Sequence, residues 1–292
     1  MRGMRASAWL AAGLTLSTAA SISAARPDAS DKTVFVGVTD ANGKPVRDLT
    51  ADYFRLREDG TDREITSVKP SDQTLQIVLL VDTTAAAMEL TQDMRTAVKS
   101  LVHYVHQAQP SAEIELMEFG QAAIPNTPFT RDEDALGKAM DKMVGKPDAA
   151  SVLTEAIIRA SGDLAKRPSG RRIILSFNTE PSDEQSREQP KKLTEAMRAS
   201  VSQLWCVSLQ RGSLKNPKRD VVLDTLTRNT GGARDFIYDQ AAIEGALKKA
   251  ADGFLYQYEV TYKRPDKRRP TQVQIGTLAE GVKLHASGFA PE

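Results

Sequence analysis

Only one cysteine, Cys206, and three histidines, His103, His106 and His285, occur in the 292 residues. A lone thiol excludes an intrachain disulfide. Cys206 sits in the apolar run Leu204–Leu209, which reads as a buried strand, so an inert thiol is expected. His103 and His106 share one side of a predicted helix with no third ligand in view, which favours a surface pair over a zinc site. His285 lies in an alternating strand without a Ser or Asp partner by motif. Gly-x-Ser-x-Gly, His-Glu-x-x-His and a dinucleotide Gly-x-Gly-x-x-Gly after Val81 are all absent, so no enzyme is expected. Gly43-Lys44 only brushes a phosphate-loop pattern, because the spacing is wrong and Pro45 replaces the needed hydroxyl. Neither sign of charge dominates. The formal balance is +1, which points to neither nucleic acid nor an anionic membrane as partner. The basic cluster Lys263-Arg264 and Lys267-Arg268-Arg269 is broken by Pro265, Asp266 and Pro270 and reads as a solvated hairpin tip.

Long apolar runs are missing too, except at the start. Arg2 and Arg5 precede an Ala- and Leu-rich stretch from Ala6 to Ala20, and Ser23 and Ala25 stand two apart before Arg26-Pro27. That order is a charged region, an apolar region and a small-x-small cleavage site, so residues 1–25 are expected to leave as a signal peptide. The mature chain would be exported, periplasmic or extracellular. It would have no membrane span and no cysteine at the cleavage site to carry a lipid.

What is present centres on Gln76-Ile77-Val78-Leu79-Leu80-Val81-Asp82-Thr83-Thr84. Unbroken aliphatic residues without alternation predict a strand buried on both faces, hence the middle of a parallel sheet. Ligands of such sheets bind past the carboxyl ends of the strands, where Asp82, Thr83 and Thr84 fall. Spacing alone also allows Asp82 simply to cap the next helix.

Before this strand, Lys32 to Val46 resembles a hairpin around Asn42-Gly43, and short strands follow at Tyr53–Arg57 and Arg63–Val68. After Leu75 strands and helices alternate. Helices are expected within 90–107, 132–144, 148–165, 191–203, 220–229 and 241–253, and strands at 113–119, 171–177, 204–209 and 236–238. From Tyr256 the pattern returns to alternation without helices. The expectation is a doubly wound, Rossmann-like, mostly parallel α/β domain over 75–253. Its flanks, 26–74 and 254–292, are expected to pair into one small β subdomain.

Several stretches together resemble the von Willebrand factor type A domain, and in particular the secreted bacterial subfamily called VWFA-related. They are Thr39–Val46 with Glu58-Asp59-Gly60, Val78–Thr84, Arg171–Ser176, Leu226–Gly232 and Gly288–Pro291. In that family an Asp-x-Ser-x-Ser loop, a Thr and an Asp form a metal-ion-dependent adhesion site. The resemblance places these on Asp82, Thr84, Ser151 and Asn178. Here Ala86 and Asn178 stand where a hydroxyl and a carboxylate are needed. Mg²⁺ wants about six oxygens in octahedral array. The resemblance therefore implies a degenerate site in which Mg²⁺ or another divalent cation is not needed, unless Glu180 or Asp183 swings in. It implies a non-enzymatic binding module for a protein or peptide, using loops 83–89, 146–151 and 178–190, the last read as a long polar surface loop. The alternatives are a structural part of a cell-envelope assembly docking through its β flanks, and a hydrolase of unrecognised type.

Overall fold

The structure, a computed structural model, describes residues 31–168, 170–212, 217–264 and 271–291. The expected signal peptide and most of the basic cluster lie outside the described residues. In chain order the elements are β1 (Asp31–Thr39), β2 (Phe54–Glu58), β3 (Thr61–Arg63), β4 (Ile65–Pro70), β5 (Leu75–Asp82), α1 (Thr91–Ala108), β6 (Glu113–Phe119), β7 (Ala123–Thr130), α2 (Glu133–Lys142) and α3 (Leu153–Ala165). They continue with β8 (Arg171–Glu180), α4 (Pro190–Ser200), β9 (Gln203–Gln210), α5 (Pro217–Thr230), β10 (Arg234–Ile237), α6 (Ile243–Leu255), β11 (Gln257–Lys263), β12 (Val273–Thr277) and β13 (Lys283–Ala286).

A six-stranded sheet in the order β10-β9-β8-β5-β6-β7 forms the centre. Every residue of β5 is buried, and β5 pairs in parallel with β6 on one side and β8 on the other. The side chains of β5 divide by parity. Leu75, Ile77, Leu79 and Val81 pack into one cluster with residues of α1, α2 and α6. Val78 and Leu80 pack into the other with residues of α3, α4 and α5. Each such buried Leu or Ile stabilises the fold by about 1.5–3 kcal/mol. The helix limits follow from local chemistry. Asp132 caps α2 by accepting the Ala135 amide at 3.0 Å, and Pro190 opens α4 where no N–H is required.

The expected α/β class is thus present, with one edge that sequence reasoning missed. β7 runs antiparallel to β6 and contains Pro125 and Pro128. Two prolines in eight residues argue against a strand, but at a sheet edge the missing N–H groups can face outward.

The flanks do pair. Val34 of β1 is the Cα partner of Val260 of β11, and β1 lies between β11 and β13 in a sheet ordered β13-β1-β11-β4. A second small sheet, β12-β2-β3, completes the flanks, which are two sheets rather than one. Both share a core of Val36, Phe54, Leu56, Val260, Tyr262 and Val273. The expected hairpin over 32–46 shrinks to a turn with one bridge, Thr39 to Pro45. Pro45 brings no N–H to a ladder, and both edges of β1 are taken by β11 and β13.

Candidate functional site

Four loops meet at the carboxyl end of the central sheet. Asp82 ends β5 and is fully buried. Its Oδ1 accepts the Thr84 amide at 2.8 Å, and its Oδ2 accepts the Thr179 amide, from the end of β8, at 2.7 Å. Burial pushes its carboxyl above the ordinary range, and the Thr179 amide opposes this. The acid therefore fastens two neighbouring loops with both oxygens. The hydroxyls of Thr83 and Thr179 are buried without a hydrogen-bond partner among the described residues.

Ser151 precedes α3 and is buried. Its hydroxyl donates to Oε2 of Glu184 at 2.7 Å, and its amide donates to the Asp183 carbonyl at 2.7 Å. The Gln185 amide returns to the Ser151 carbonyl, so residues 183–185 lie as a one-bridge parallel strand against Ser151. Glu184 Oε1 also accepts the Thr154 amide at 3.2 Å. The segment after β8 is therefore no free polar loop. Glu180 and Ser182 are buried, and Glu184 stitches the segment to the start of α3. Asp183 contributes its carbonyl, while its carboxylate accepts Gln185 Nε2 at 2.8 Å.

Asn178 faces the same side of the sheet as Asp82. Its Nδ2 donates to Ser208 Oγ of β9 at 2.9 Å and to Glu180 Oε1 at 3.1 Å. Glu180 in turn faces two arginines. Arg219 of α5 brings Nε to 3.4 Å from Glu180 Oε1 and Nη1 to 3.8 Å from Glu184 Oε2. Arg234 of β10 brings Nη2 to 3.4 Å from the same Glu180 oxygen and to 2.8 Å from Asp220. Its Nε donates to Ser208 Oγ at 3.0 Å. Both arginine side chains are only 2% exposed. Burial pushes the Glu180 carboxyl up, and the two guanidiniums pull against it. The Cys206 thiol, in the strand that carries Ser208, is pushed up to about 11 by burial, which agrees with an inert role.

No protein-family model and no curated protein matches the sequence. Among solved structures, proximal thread matrix protein 1 from the mussel byssus superposes with a TM-score of 0.55 at 8% identity, over 68% of this chain and 51% of that one. This chain therefore spans about half of the mussel protein, which has also been described with a zinc-occupied MIDAS motif, at a TM-score of 0.54. A von Willebrand factor type A protein from Catenulispora acidiphila gives 0.49 at 12% identity over 90% of this chain and 75% of that one. The VWA domain of SpRpn10 gives 0.49 at 14% identity over 61% of this chain and 96% of that one. The sheet and its helical layers share their fold with the mussel protein.

In the family that the sequence resembles, a metal would be held by the residues expected at Asp82, Thr84, Ser151 and Asn178. The residues present do not fit it. Asp82 already uses both oxygens on amides, Asn178 turns its NH₂ toward Glu180 and Ser208, and Ser151 donates its hydroxyl to Glu184. Among the described residues no three His, Cys, Asp or Glu side chains converge as a metal cluster. His103 and His106 both reach Glu133 at 3.2 Å through Nδ1, bridging α1 to α2.

Sequence reasoning placed Asp82, Thr84, Ser151 and Asn178 at one end of one sheet; Glu180 is buried beside Asn178 and faces Arg219 and Arg234. Arg219 and Arg234 were missed. One signal was available for Arg219, a cation in the first turns of a helix, where the macrodipole disfavours it.

On the rim of this face, Met88 and Val144 are each 43% exposed. They come from the segments after β5 and after α2, and the Cα of Gly145 packs close against Met88, where an added Cβ would come within 2.5 Å of the Met88 Cα.

Proposed function

We propose that this protein is an exported recognition module that binds a protein or peptide partner through the loops at the carboxyl ends of its central sheet, with no metal ion in the contact. The observation that carries this reading is Asp82. The acid that ends the central strand holds the Thr84 and Thr179 amides with its two oxygens, so it organises loops instead of facing a ligand. A rigid sheet under irregular loops suits recognition. Met88 and Val144 supply an apolar contact on that rim. The absence of hydrolase and cofactor motifs supports a non-enzymatic role. Residues 1–25 supply the export signal, residues 75–253 the type A domain, and residues 26–74 and 254–292 its β base. The bacterial VWFA-related subfamily is the group this arrangement fits.

The test uses the chain beginning at Arg26. Thermal unfolding in millimolar Mg²⁺, Mn²⁺ or Ca²⁺ is expected to leave Tm unchanged, and a concentration-dependent rise overturns metal independence. A displayed peptide library is expected to yield binders that a Met88→Asp, Val144→Asp double variant loses. Val221→Asp, at an exposed position on α5, is expected to retain them. Binders unaffected by the rim variant but lost on altering β4 or β13 would move the contact to the flanks. Those two strands are the outer members of their sheet, as a docking edge requires.

A further inference from the structure

We infer that the cleft between the edge strand β7 and helix α3 is a binding site for a small carboxylate, held by the carboxyl of Glu115 at its floor and the guanidinium of Arg159 on its exposed wall. Glu115 stands toward the start of β6, away from the loops at the carboxyl end of the sheet, so this site is separate from the contact proposed above.

Position comes first. Glu115 is the β6 partner of Val78 in β5. Val78, Met117 and Phe119 pack into the apolar cluster that contains α3. By the alternation of a strand Glu115 faces the same side, where the pattern calls for an apolar residue. It is 4% exposed. Among the described residues no hydrogen bond or salt bridge reaches its carboxyl. A buried acid without a partner costs the fold what a Leu would not, so packing alone does not account for it. The neighbouring strand opens beside it. From the pair Ile114–Thr130 to the pair Leu116–Thr127, β7 takes three steps to two of β6, with Pro128 and Phe129 between. Bulges of this kind re-aim side chains and gather beside active sites.

Charge and chemistry name the ligand. The cleft, about 480 Å³, is of small-ligand size, and Pro125, Pro128 and Phe129 give it apolar walls. Two of its three cations are already matched by acids. Lys166 Nζ lies 2.8 Å from Asp163, and Arg167 pairs with Glu113 while its guanidinium sits 4.7 Å over the Phe129 ring. Arg159 has only a neutral partner, the Ala123 carbonyl, which accepts its Nη1 at 2.9 Å. β7 brings no charged residue, and β5 presents Val78. Burial, with Asp163 adding, raises the Glu115 pKa to about 7 against the pull of Arg159, Lys166 and Arg167. A protonated carboxyl donates one hydrogen bond. A ligand carboxylate would accept that O–H with one oxygen and face the Arg159 guanidinium with the other, and the apolar walls would take its short chain or ring. A cationic ligand would instead meet three cations in the same cleft.

Butyrate and benzoate are the probes. Isothermal titration of each into the purified protein at pH 6 is expected to show saturable binding, and amide NMR is expected to place it by shifts at Thr127 and Phe129. Affinity is expected to fall about tenfold per pH unit above 7, as Glu115 gives up the proton it donates. Glu115→Gln, whose amide still donates without a charge, is expected to bind at pH 8 as it does at pH 6. Glu115→Leu removes the donor, and Arg159→Met keeps the stem without the charge. Each is expected to bind about tenfold more weakly or worse at pH 6, with circular dichroism showing it folded. The inference is overturned if neither acid binds the unaltered protein at pH 6. It is overturned equally if Glu115→Leu binds as tightly as the unaltered protein, if affinity is the same at pH 6 and pH 8, or if benzylamine binds in the cleft and the two acids do not.

Discussion

Oγ1 of Thr39 lies 3.0 Å from Nε2 of His285, across 246 residues of sequence. The pair joins β1 to β13, and the imidazole packs, tilted by 41°, against Trp205 of the central sheet with ring centroids 4.9 Å apart. The contact fastens the β base to the central α/β domain.

That setting gives His285 a pH signature. Burial, helped by the nearby Lys283, holds its pKa down to about 4. The unfolded chain, with an ordinary value of about 6.5, takes up the proton first as pH falls. The stability tied to neutral His285 is therefore full above pH 6.5 and is lost as pH falls toward 4. His285→Gln is expected to flatten the acid side of the stability curve, measured by urea unfolding between pH 4 and pH 7. An NMR titration that shows His285 protonating near pH 6.5 would contradict this.

Glu115 has the opposite sign. It floors a cleft of about 480 Å³ beside Phe129, Arg159 and Arg167, and burial, with Asp163 adding, raises its pKa to about 7. The folded chain here prefers the protonated acid. The contribution is full below about pH 4.5, the ordinary glutamate range, and is lost as pH rises through 7. Glu115→Gln is expected to be more stable than the unaltered chain at pH 8 and closer to it at pH 5. Equal urea midpoints for the two proteins at pH 8 would contradict the assignment.

Asp82→Ala leaves the Thr84 and Thr179 amides buried without acceptors. Each orphaned donor costs about 1–3 kcal/mol, so a loss of roughly 2–6 kcal/mol is expected. Asp82→Asn keeps one acceptor oxygen and is expected to fall between. If Asp82→Ala unfolds at the same denaturant midpoint as the unaltered chain, the fastening role is wrong.

Gly253 lies on α6 where a Cβ would come within 2.2 Å of the Trp205 ring, and the Gly253 carbonyl would meet a Cβ on Gly37 of β1 at 2.3 Å. Neither backbone can take a side chain without moving apart. Gly253→Ala is expected to destabilise by about 1–3 kcal/mol through overpacking, read as a lower Tm. Gly245→Ala, on the same helix with open space around it, serves as the control and is expected to be neutral or slightly stabilising.

The parts of this protein that could be read from its sequence are those where one residue type answers to one environment. β5 was legible because all eight of its positions are buried, which leaves no polar side to confuse the pattern. The pairing of the flanks was legible because Val34, Val36, Val260 and Tyr262 alternate with residues of lesser burial or polar character. β7 was not, because Pro125 and Pro128 belong to an edge and the edge is a property of the sheet. The site divided in the same way. Asp82 and Ser151 stand next to their elements in the chain. Arg219 and Glu184 meet only because α5 and the segment after β8 fold onto one end of the sheet, 35 positions apart in the chain. No local pattern announces a partner at that distance.

The place of β1 between β11 and β13 also governs when the fold can close. β1 is the first described strand, and the strands on either side of it begin at Gln257 and Lys283. A chain that appears from its amino end therefore carries its first strand without neighbours until almost all of it has followed. Pairings this distant are slow to form, because a long loop must be closed before any contact rewards it. The α/β layers between them end at Leu255, so all their elements have appeared before β11 and β13. Completion of the β base is therefore expected late in assembly, and a chain halted before residue 257 lacks both strands that pair with β1.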